Sequence, residues 1–308
     1  MAGDQGLTSS LTNVREVRQP SLTRRLSGVL HRHRRLRLVL LLAAPMVVLV
    51  VVYLGALGVL LVSAFWTTDD FTGQVVREGT LENFRALVTS DVYRAVTFRT
   101  VGVATAVTVI CAVLAFPMAL YMSKVASPRR RRLLVVAVLT PLWASYLVKA
   151  FAWRAMLSGD GVVNWALAPV GLEGPGFGLA ATIIVLTYLW LPFMILPVYA
   201  GLERLPDSLL EASSDLGAGA GRTVRSVVLP LAFPALVAGA IFTFSLSLGD
   251  YIAVQIVGGK SQLLGNLIQG NAGAANNLPL AAALAAVPVV IMVLLLLGVR
   301  RTGALDNL

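Results

Sequence analysis

The sequence predicts an all-α membrane protein with six transmembrane helices. Of its 308 residues, 57% are hydrophobic and 13% are charged, whereas soluble domains carry about 25% charged residues. The mean hydropathy is high, at +0.81. Several charge-free runs also reach the roughly 20 residues that a helix needs to cross the hydrocarbon core of a bilayer. These observations exclude an ordinary soluble fold.

The apolar runs follow one another along the chain, separated by charged segments. The first begins only after 37 residues and is too long for a cleaved signal peptide. The last, 261–299, is too long for one span, and its Gly- and Asn-rich first half predicts a loop with a short interfacial helix over 261–269. The six spans are therefore placed at 38–68, 100–123, 133–148 with an extension to 153, within 174–202, within 226–249, and at 280–299.

These spans divide the chain into two tails, a first helix, a loop and a core. Residues 1–36 form a basic tail that is expected to be disordered, and 300–308 form a second tail. The first helix takes 37–66, an extracytoplasmic loop takes 67–97, and the core at 98–299 contains five helices and a long loop over 203–234. The RHRRLR run in the first tail suits a membrane-flanking cluster better than a nucleic-acid site, so no nucleic-acid partner is expected.

Lys and Arg are distributed unevenly between the two sides of the membrane. Of the 25 basic residues, 18 fall in the tails and in the loops on the side of the tails. Because basic loops stay on the cytoplasmic side, the protein is placed in the inner membrane with both termini in the cytoplasm. The net charge of +10 is thus interpreted as an orientation signal and not as a ligand-binding patch.

The composition gives little support for a catalytic site or a metal site. The single cysteine, Cys111, rules out an internal disulfide, and both histidines lie in the first tail. Gly259-Lys260-Ser261 imitates the end of a phosphate-binding loop, but Val254 occupies the position of the required first glycine. We therefore expect no catalytic residue, no metal site and no cofactor in this chain.

The loop between the fourth and fifth spans predicts a short amphipathic helix. Ser208 and Glu211 have the spacing of a capping box, and Gly217 stands where a left-handed helix end favours glycine. Apolar residues share one face of this helix at Leu209, Ala212 and Leu216. A helix of two turns is not stable alone, so it either docks on a partner or lies on the bilayer surface.

This loop resembles the E-A-A–x3–G–x9–I–x–L–P loop of ABC importer permeases. The spacing is intact over 20 positions, with Ser213 in place of the second Ala and Val227 in place of Ile. The similarity extends from about residue 36 to 300, and within the family it is greatest to the spermidine/putrescine-type permeases. Three further stretches support it: Pro141-Leu142-Trp143, Tyr188-Leu189-Trp190-Leu191-Pro192-Phe193 and Ser247-Leu248-Gly249-Asp250-Tyr251.

The resemblance implies a type I ABC importer permease fold and a role as the pore subunit that moves a small solute, a polyamine, into the cytoplasm. It implies that a dimeric cytoplasmic ATPase, which binds ATP and Mg²⁺, docks on the loop, together with a second permease subunit and an extracytoplasmic solute-binding protein. Sulfate, phosphonate, iron or a sugar remain alternative solutes, and a secondary carrier remains a distant one. The implied coupling residues are Glu211, Ala212, Ser213, Gly217, Leu229 and Pro230.

Asp250 is the strongest candidate for a contact with the solute, as the only acidic residue within or bordering a predicted span. It is placed 17 residues along the fifth helix from Phe233, and it either receives an ammonium group, caps the helix end or pairs with Lys149. Aromatic rings can hold alkylammonium ions by cation–π attraction, or simply lie at the bilayer interface. The predicted solute pathway consists of Asp250, Tyr251, Tyr146, Trp143 and Gln255.

Overall fold

The computed structural model describes residues 42–43, 45–69 and 72–301. The predicted tail at 1–36 and most of the tail at 300–308 lie outside the described residues. Most of the described chain is helical. In chain order the helices are α1 (Pro45–Ser63), α2 (Glu82–Thr89), α3 (Asp91–Val125), α4 (Pro128–Trp143), α5 (Tyr146–Leu157), α6 (Val162–Leu167), α7 (Leu179–Glu203), α8 (Asp207–Asp215), α9 (Ala220–Leu248), α10 (Ile252–Val257), α11 (Leu264–Ala272) and α12 (Leu278–Arg301).

Within the described residues, five helices are individually long and apolar enough to cross a membrane: α1, α3, α7, α9 and α12. The sixth span is the pair α4 and α5, which pass the same test together and are bent by 95° at a short break. The prediction of six spans is thus confirmed when this pair counts as one. The third span, predicted as one helix over 133–148 with an extension to 153, is instead two helices, because Ala144 and Ser145 adopt extended backbone angles just after Pro141 and turn the chain.

The chain divides at Val59 into two units. The first contains most of α1, in which no residue from Val48 to Leu54 is buried. The second begins at Leu60 and contains the helical bundle, with α3, α7 and α9 packed against one another at its centre. Their buried faces are almost entirely apolar, as expected for a core whose close packing replaces contacts with lipid.

Small residues allow α7 and α9 to approach closely. A Cβ atom added at Gly201 would lie 2.4 Å from the Cβ atom of Ala235, and one added at Gly239 would lie 3.2 Å from the Cα atom of Met194. The two pairs show that the helices run antiparallel, because the partner number rises as the α7 number falls. Helices in lipid gain no hydrophobic driving force from association. Glycine at such positions stabilises their packing instead, because it allows close contact between the two backbones.

The predicted outer loop has structure of its own. Strands β1 (Thr67–Thr68) and β2 (Val75–Val76) pair antiparallel, and α2 follows them. The side-chain amide of Asn83 donates to the carbonyls of Ala64 and Trp66, at 2.9 and 2.8 Å, and ties α2 to the end of the preceding helix. Because α3 begins at Asp91 and α7 ends at Glu203, Asp250 is not the only acidic residue that borders a span.

Two short helices lie between the fifth and sixth spans. The sequence predicts one of them at 261–269, and the structure places it at Leu264–Ala272 as α11. The other, α10, was not anticipated. Its six residues lie between two glycine-containing turns, and their apolar run is too short to show a helical period.

Candidate functional site

The predicted coupling helix exists as α8, at the end of the bundle where α7 ends and α9 begins. Its predicted capping box is wrong: α8 starts at Asp207, the residue at its N-cap is Pro206, and no side chain caps it. Pro206 provides the extended backbone that a capping serine would otherwise occupy, so Ser208 falls inside the first turn. Gly217 has φ +76°, the left-handed conformation expected at the helix end.

One face of α8 is open to solvent. The side chain of Leu216 is 89% exposed, and Leu209 is also exposed. No other residue in the described part of the chain hydrogen-bonds the carboxylate of Glu211. A short helix that presents exposed leucines beside an unpaired carboxylate has the properties of a docking surface.

Leu210 of α8 packs against the hydrophobic core, and two polar contacts also attach this helix to the bundle. The ammonium of Lys124 donates to the carboxylate of Asp207 at 2.7 Å, and the hydroxyls of Ser213 and Thr223 hydrogen-bond at 2.9 Å. The hydrogen bond and positive charge of Lys124 lower the pKa of the Asp207 carboxyl below its ordinary value. This helix is therefore held at both ends while its exposed face stays free.

The remaining coupling residues lie beyond α8. Helix α9 begins at Ala220 and passes through a π-helical segment at Val224–Val228, so the predicted loop over 203–234 ends earlier than expected. Leu229 and Pro230 then begin the regular part of α9. Pro230 has no backbone N–H to donate, and it stands directly after the π-helical segment that already interrupts the regular hydrogen-bond ladder of α9.

Asp250 lies at the opposite end of α9, in the three-residue break between α9 and α10. Helix α9 ends at Leu248, so Asp250 stands just after the fifth helix and not within it. The side chain is buried, with 8% exposure. Its Oδ1 atom accepts a hydrogen bond from the backbone N–H of Ala253 at 3.0 Å, and its Oδ2 atom accepts one from the hydroxyl of Tyr146.

This geometry excludes one of the alternatives for Asp250, the pair with Lys149. The carboxylate caps the start of α10, and it does not pair with Lys149, whose ammonium donates instead to the carbonyl of Pro141 at 3.1 Å. Both of these donors to Asp250, the backbone N–H of Ala253 and the hydroxyl of Tyr146, are neutral. Among the described residues, no cationic side chain forms an ion pair with it. A buried carboxylate without a counter-charge is a site that a cation can stabilise.

A cavity of about 320 Å³ opens beside Asp250. The rings of Tyr146 and Trp190 form one wall, with centroids 5.9 Å apart, and the indole N–H of Trp190 is buried with no hydrogen-bond partner in the described part of the chain. The cavity is lined by Tyr146, Trp190, Ser245, Leu246, Gly249, Asp250, Tyr251 and Ile252.

Three of the five predicted pathway residues therefore meet at this cavity. Trp143 does not line it: it is 84% exposed at the bend between α4 and α5. Gln255 is exposed on α10 and also lies outside the lining. The sequence did not single out Trp190 or Ser245, although Trp190 belongs to an aromatic run and shares its helix face with the buried Met194.

Helix α11 fixes the backbone that carries Asp250. A Cβ atom at Gly265 would lie 3.0 Å from the carbonyl oxygen of Asp250, so any larger residue would require this backbone to shift by a few tenths of an ångström. The side-chain amide of Asn266 donates to the carbonyl of Tyr251 at 3.0 Å, and the hydroxyl of Thr100 on α3 accepts from the backbone N–H of Leu264 at 2.9 Å. The backbone beside the cavity is therefore held by α11, which is itself hydrogen-bonded to α3.

Comparison with known proteins shows the family of this chain. Residues 113–302 match the family described as binding-protein-dependent transport system inner membrane component. The chain is 46% identical to the inner membrane ABC transporter permease protein YdcU of Escherichia coli strain K12, over 92% of this chain and 95% of that protein. It is 33% identical to the spermidine/putrescine transport system permease protein PotB of Haemophilus influenzae, over 74% and 81% of the two chains.

A solved structure shares the fold. The bacterial alginate ABC transporter, in complex with an alginate pentasaccharide-bound periplasmic protein, contains a chain that superposes with a TM-score of 0.67 at 17% identity, covering 91% of this chain and 97% of that one. At this identity the match concerns the fold alone. Because the family match spans more than half of the chain, and the relatives cover most of it, this chain belongs to the family of binding-protein-dependent transport system inner membrane components, as a permease subunit of an ABC importer.

Proposed function

We propose that this permease imports a polyamine-like cation, and that Asp250 receives one of its ammonium groups. The observation that carries the proposal is the buried carboxylate of Asp250, which faces a cavity while held by neutral donors. An ammonium ion would supply the missing counter-charge. The rings of Tyr146 and Trp190 can add cation–π attraction of about 0.5–2 kcal/mol each.

The shape and charge of the cavity favour this solute over the alternatives. Sulfate and phosphonate are anions, which the carboxylate of Asp250 would repel. Iron prefers several anionic ligands, whereas this site offers one carboxylate. A volume of about 320 Å³ suits the end of a flexible alkylamine better than a large sugar chain. The printed name of PotB, a spermidine/putrescine permease, points the same way.

The same proposal includes the orientation and the partners. Lys124, Arg204 and the four arginines at 129–132 lie at the α8 end of the bundle, and the positive-inside rule places that end in the cytoplasm. Asp250 then faces the outside, where a solute-binding protein would deliver the cation. A dimeric ATPase would dock on α8, and a second permease subunit would complete the pore.

Uptake of radiolabelled spermidine and putrescine by cells that express the complete transporter tests the proposal. We expect uptake by the wild-type protein that unlabelled polyamines compete away. Asp250→Asn removes a charged hydrogen-bond acceptor, which is worth about 1.5–3 kcal/mol, so half-maximal uptake should need at least about tenfold more polyamine. Asp160→Asn, at an exposed turn after α5, is the matched control and should behave as the wild type.

Two results would contradict the proposal. The first is a wild-type transporter that moves no polyamine when all its partners are present. The second is an Asp250→Asn variant with the concentration dependence of the Asp160→Asn control.

A further inference from the structure

We infer that Lys124 and Arg131 form a clasp that transmits displacement of α8 into α3 and α4. Both are positioning residues: they lie on the two sides of the short turn that joins these helices, and they reach across to the segment from the end of α7 to the start of α8. The inference rests on the proposed docking of an ATPase on α8.

Lys124 holds the point where the chain enters α8. Its side chain is only 11% exposed, and its ammonium donates to the carbonyl of Leu205 at 2.6 Å and to the carboxylate of Asp207 at 2.7 Å. These two acceptors flank Pro206, which has no backbone N–H to contribute. One cation therefore fixes the residues before and after the proline that starts the helix.

Arg131 holds the end of α7 in a similar way. Its guanidinium donates to the carbonyls of Met122 and Ser123, at 3.1 and 2.7 Å, and reaches the carboxylate of Glu203 at 3.4 Å. The hydroxyl of Tyr199 donates to the same carboxylate at 3.0 Å. The planar, multidentate guanidinium can serve all these acceptors at once, as a lysine could not.

The π-helical segment at Tyr121–Val125 explains why the clasp can form. A π-helical segment interrupts the regular α-helical hydrogen-bond ladder, and such interruptions often occur at functional positions. Here the segment carries Lys124 itself and presents the carbonyls of Met122 and Ser123 to Arg131.

Isolated ion pairs at a protein surface contribute little, about 0–1 kcal/mol each. The clasp differs from such pairs because each cation also donates to backbone carbonyls on a second element, and those bonds fix geometry. Arg129, in the same basic run, is exposed and makes no such contacts among the described residues. Other contacts of α8 with the bundle are the packing of Leu210 on the core and the hydrogen bond between Ser213 and Thr223. The clasp is the polar contact that joins the start of α8 to α3, so a push on α8 reaches α3 and α4 by way of it.

The first test uses the full chain alone in lipid nanodiscs and needs neither solute nor ATPase. Hydrogen exchange of residues 207–216 is measured in Lys124→Met, which keeps the length of the side chain and removes the ammonium, and in Arg129→Met as the matched control. We expect faster exchange in Lys124→Met only. Exchange in Lys124→Met as slow as in the control would overturn the inference, even if the solute proves not to be a polyamine.

The second test uses the complete transporter and measures solute molecules imported per ATP hydrolysed. We expect this ratio to fall at least about fivefold in Lys124→Met, a coupling loss at the low end of those found between linked sites. Lys124→Arg, which retains the charge and the donors, should restore most of it. A merely structural ion pair would change stability but not this ratio, so an unchanged ratio in Lys124→Met would overturn the inference. Asp207→Asn, which leaves the bond to Leu205 in place, provides a milder second variant with a smaller expected fall.

Discussion

Helices α7 and α9 leave no room for a side chain at Gly201. A Cβ atom there would lie 2.4 Å from the Cβ atom of Ala235, whereas nonbonded carbon atoms rest about 3.5–4.0 Å apart. The methyl group of Ala235 is fixed to its own backbone and cannot rotate away. In Gly201→Ala the two helices must therefore separate by about 1 Å at this point.

The cost of this substitution follows from two opposing contributions. Overpacking of a closely packed core costs about 1–3 kcal/mol. Replacement of a helical glycine by alanine returns about 0.5–1 kcal/mol. The net loss in the free energy of unfolding is then about 0–2.5 kcal/mol. Gly102→Ala on α3 is the matched control, because a Cβ atom there meets nothing within 4 Å and only the gain remains.

The chain contains its own probe for this measurement. Cys111 is the single cysteine and is fully buried on α3, so a fluorogenic maleimide reacts with it only as the bundle unfolds. In detergent, the midpoint of the unfolding transition, followed by maleimide labelling, should be lowest for Gly201→Ala, intermediate for the wild type and highest for Gly102→Ala. A Gly201→Ala protein as stable as Gly102→Ala would refute the close approach of α7 and α9.

Three further predictions concern the two ends of the bundle. Gly217→Val should fray the end of α8, seen as faster hydrogen exchange, because a left-handed conformation costs a β-branched residue about 1–2 kcal/mol or more; Gly217→Asn should exchange nearly as the wild type does, and equal exchange in Val and Asn variants would contradict this. Since Lys124 lowers the pKa of Asp207, their contact should persist as pH falls through the ordinary carboxyl range and break only below it, so the slower exchange of α8 in the wild type than in Lys124→Met should persist through that range and shrink only below it; a difference between the two proteins that already disappears within the ordinary range would argue against it. Gly265→Ala should weaken solute uptake by displacing the backbone beside the cavity, whereas Gly270→Ala, on the same helix with nothing within 4 Å, should not.

The spans and the end of the coupling helix could be predicted from sequence because each depends on local rules. The thickness of a bilayer sets the length of an apolar run, and a left-handed helix end favours glycine whatever surrounds it, as Gly217 shows. The capping box failed because the helix starts two residues earlier than Ser208 as N-cap would place it, directly after Pro206.

The cavity could be predicted only in part, because it depends on contacts between distant segments. Tyr146 and Asp250 are 104 positions apart, and the bend after Pro141 brings them together. A proline indicates a kink but not a bend of 95°, so Trp143 was predicted to face the pathway when it lies at the outside of the bend. Trp190 contributes through a helix-to-helix approach that no local pattern reveals.

The docking of α8 on a separate ATPase is tested most directly by ATP-dependent uptake in Glu211→Lys. Glu211 is exposed and unpaired within the described residues, so its reversal should leave the chain folded in the membrane. Glu173→Lys, exposed in the segment before α7, controls for the change of charge. We expect Glu211→Lys to reach the membrane at wild-type levels and to lose at least about 90% of uptake, since a reversed charge at a docking surface costs several kcal/mol. Full uptake in Glu211→Lys, equal to that of Glu173→Lys, would contradict a coupling role for α8.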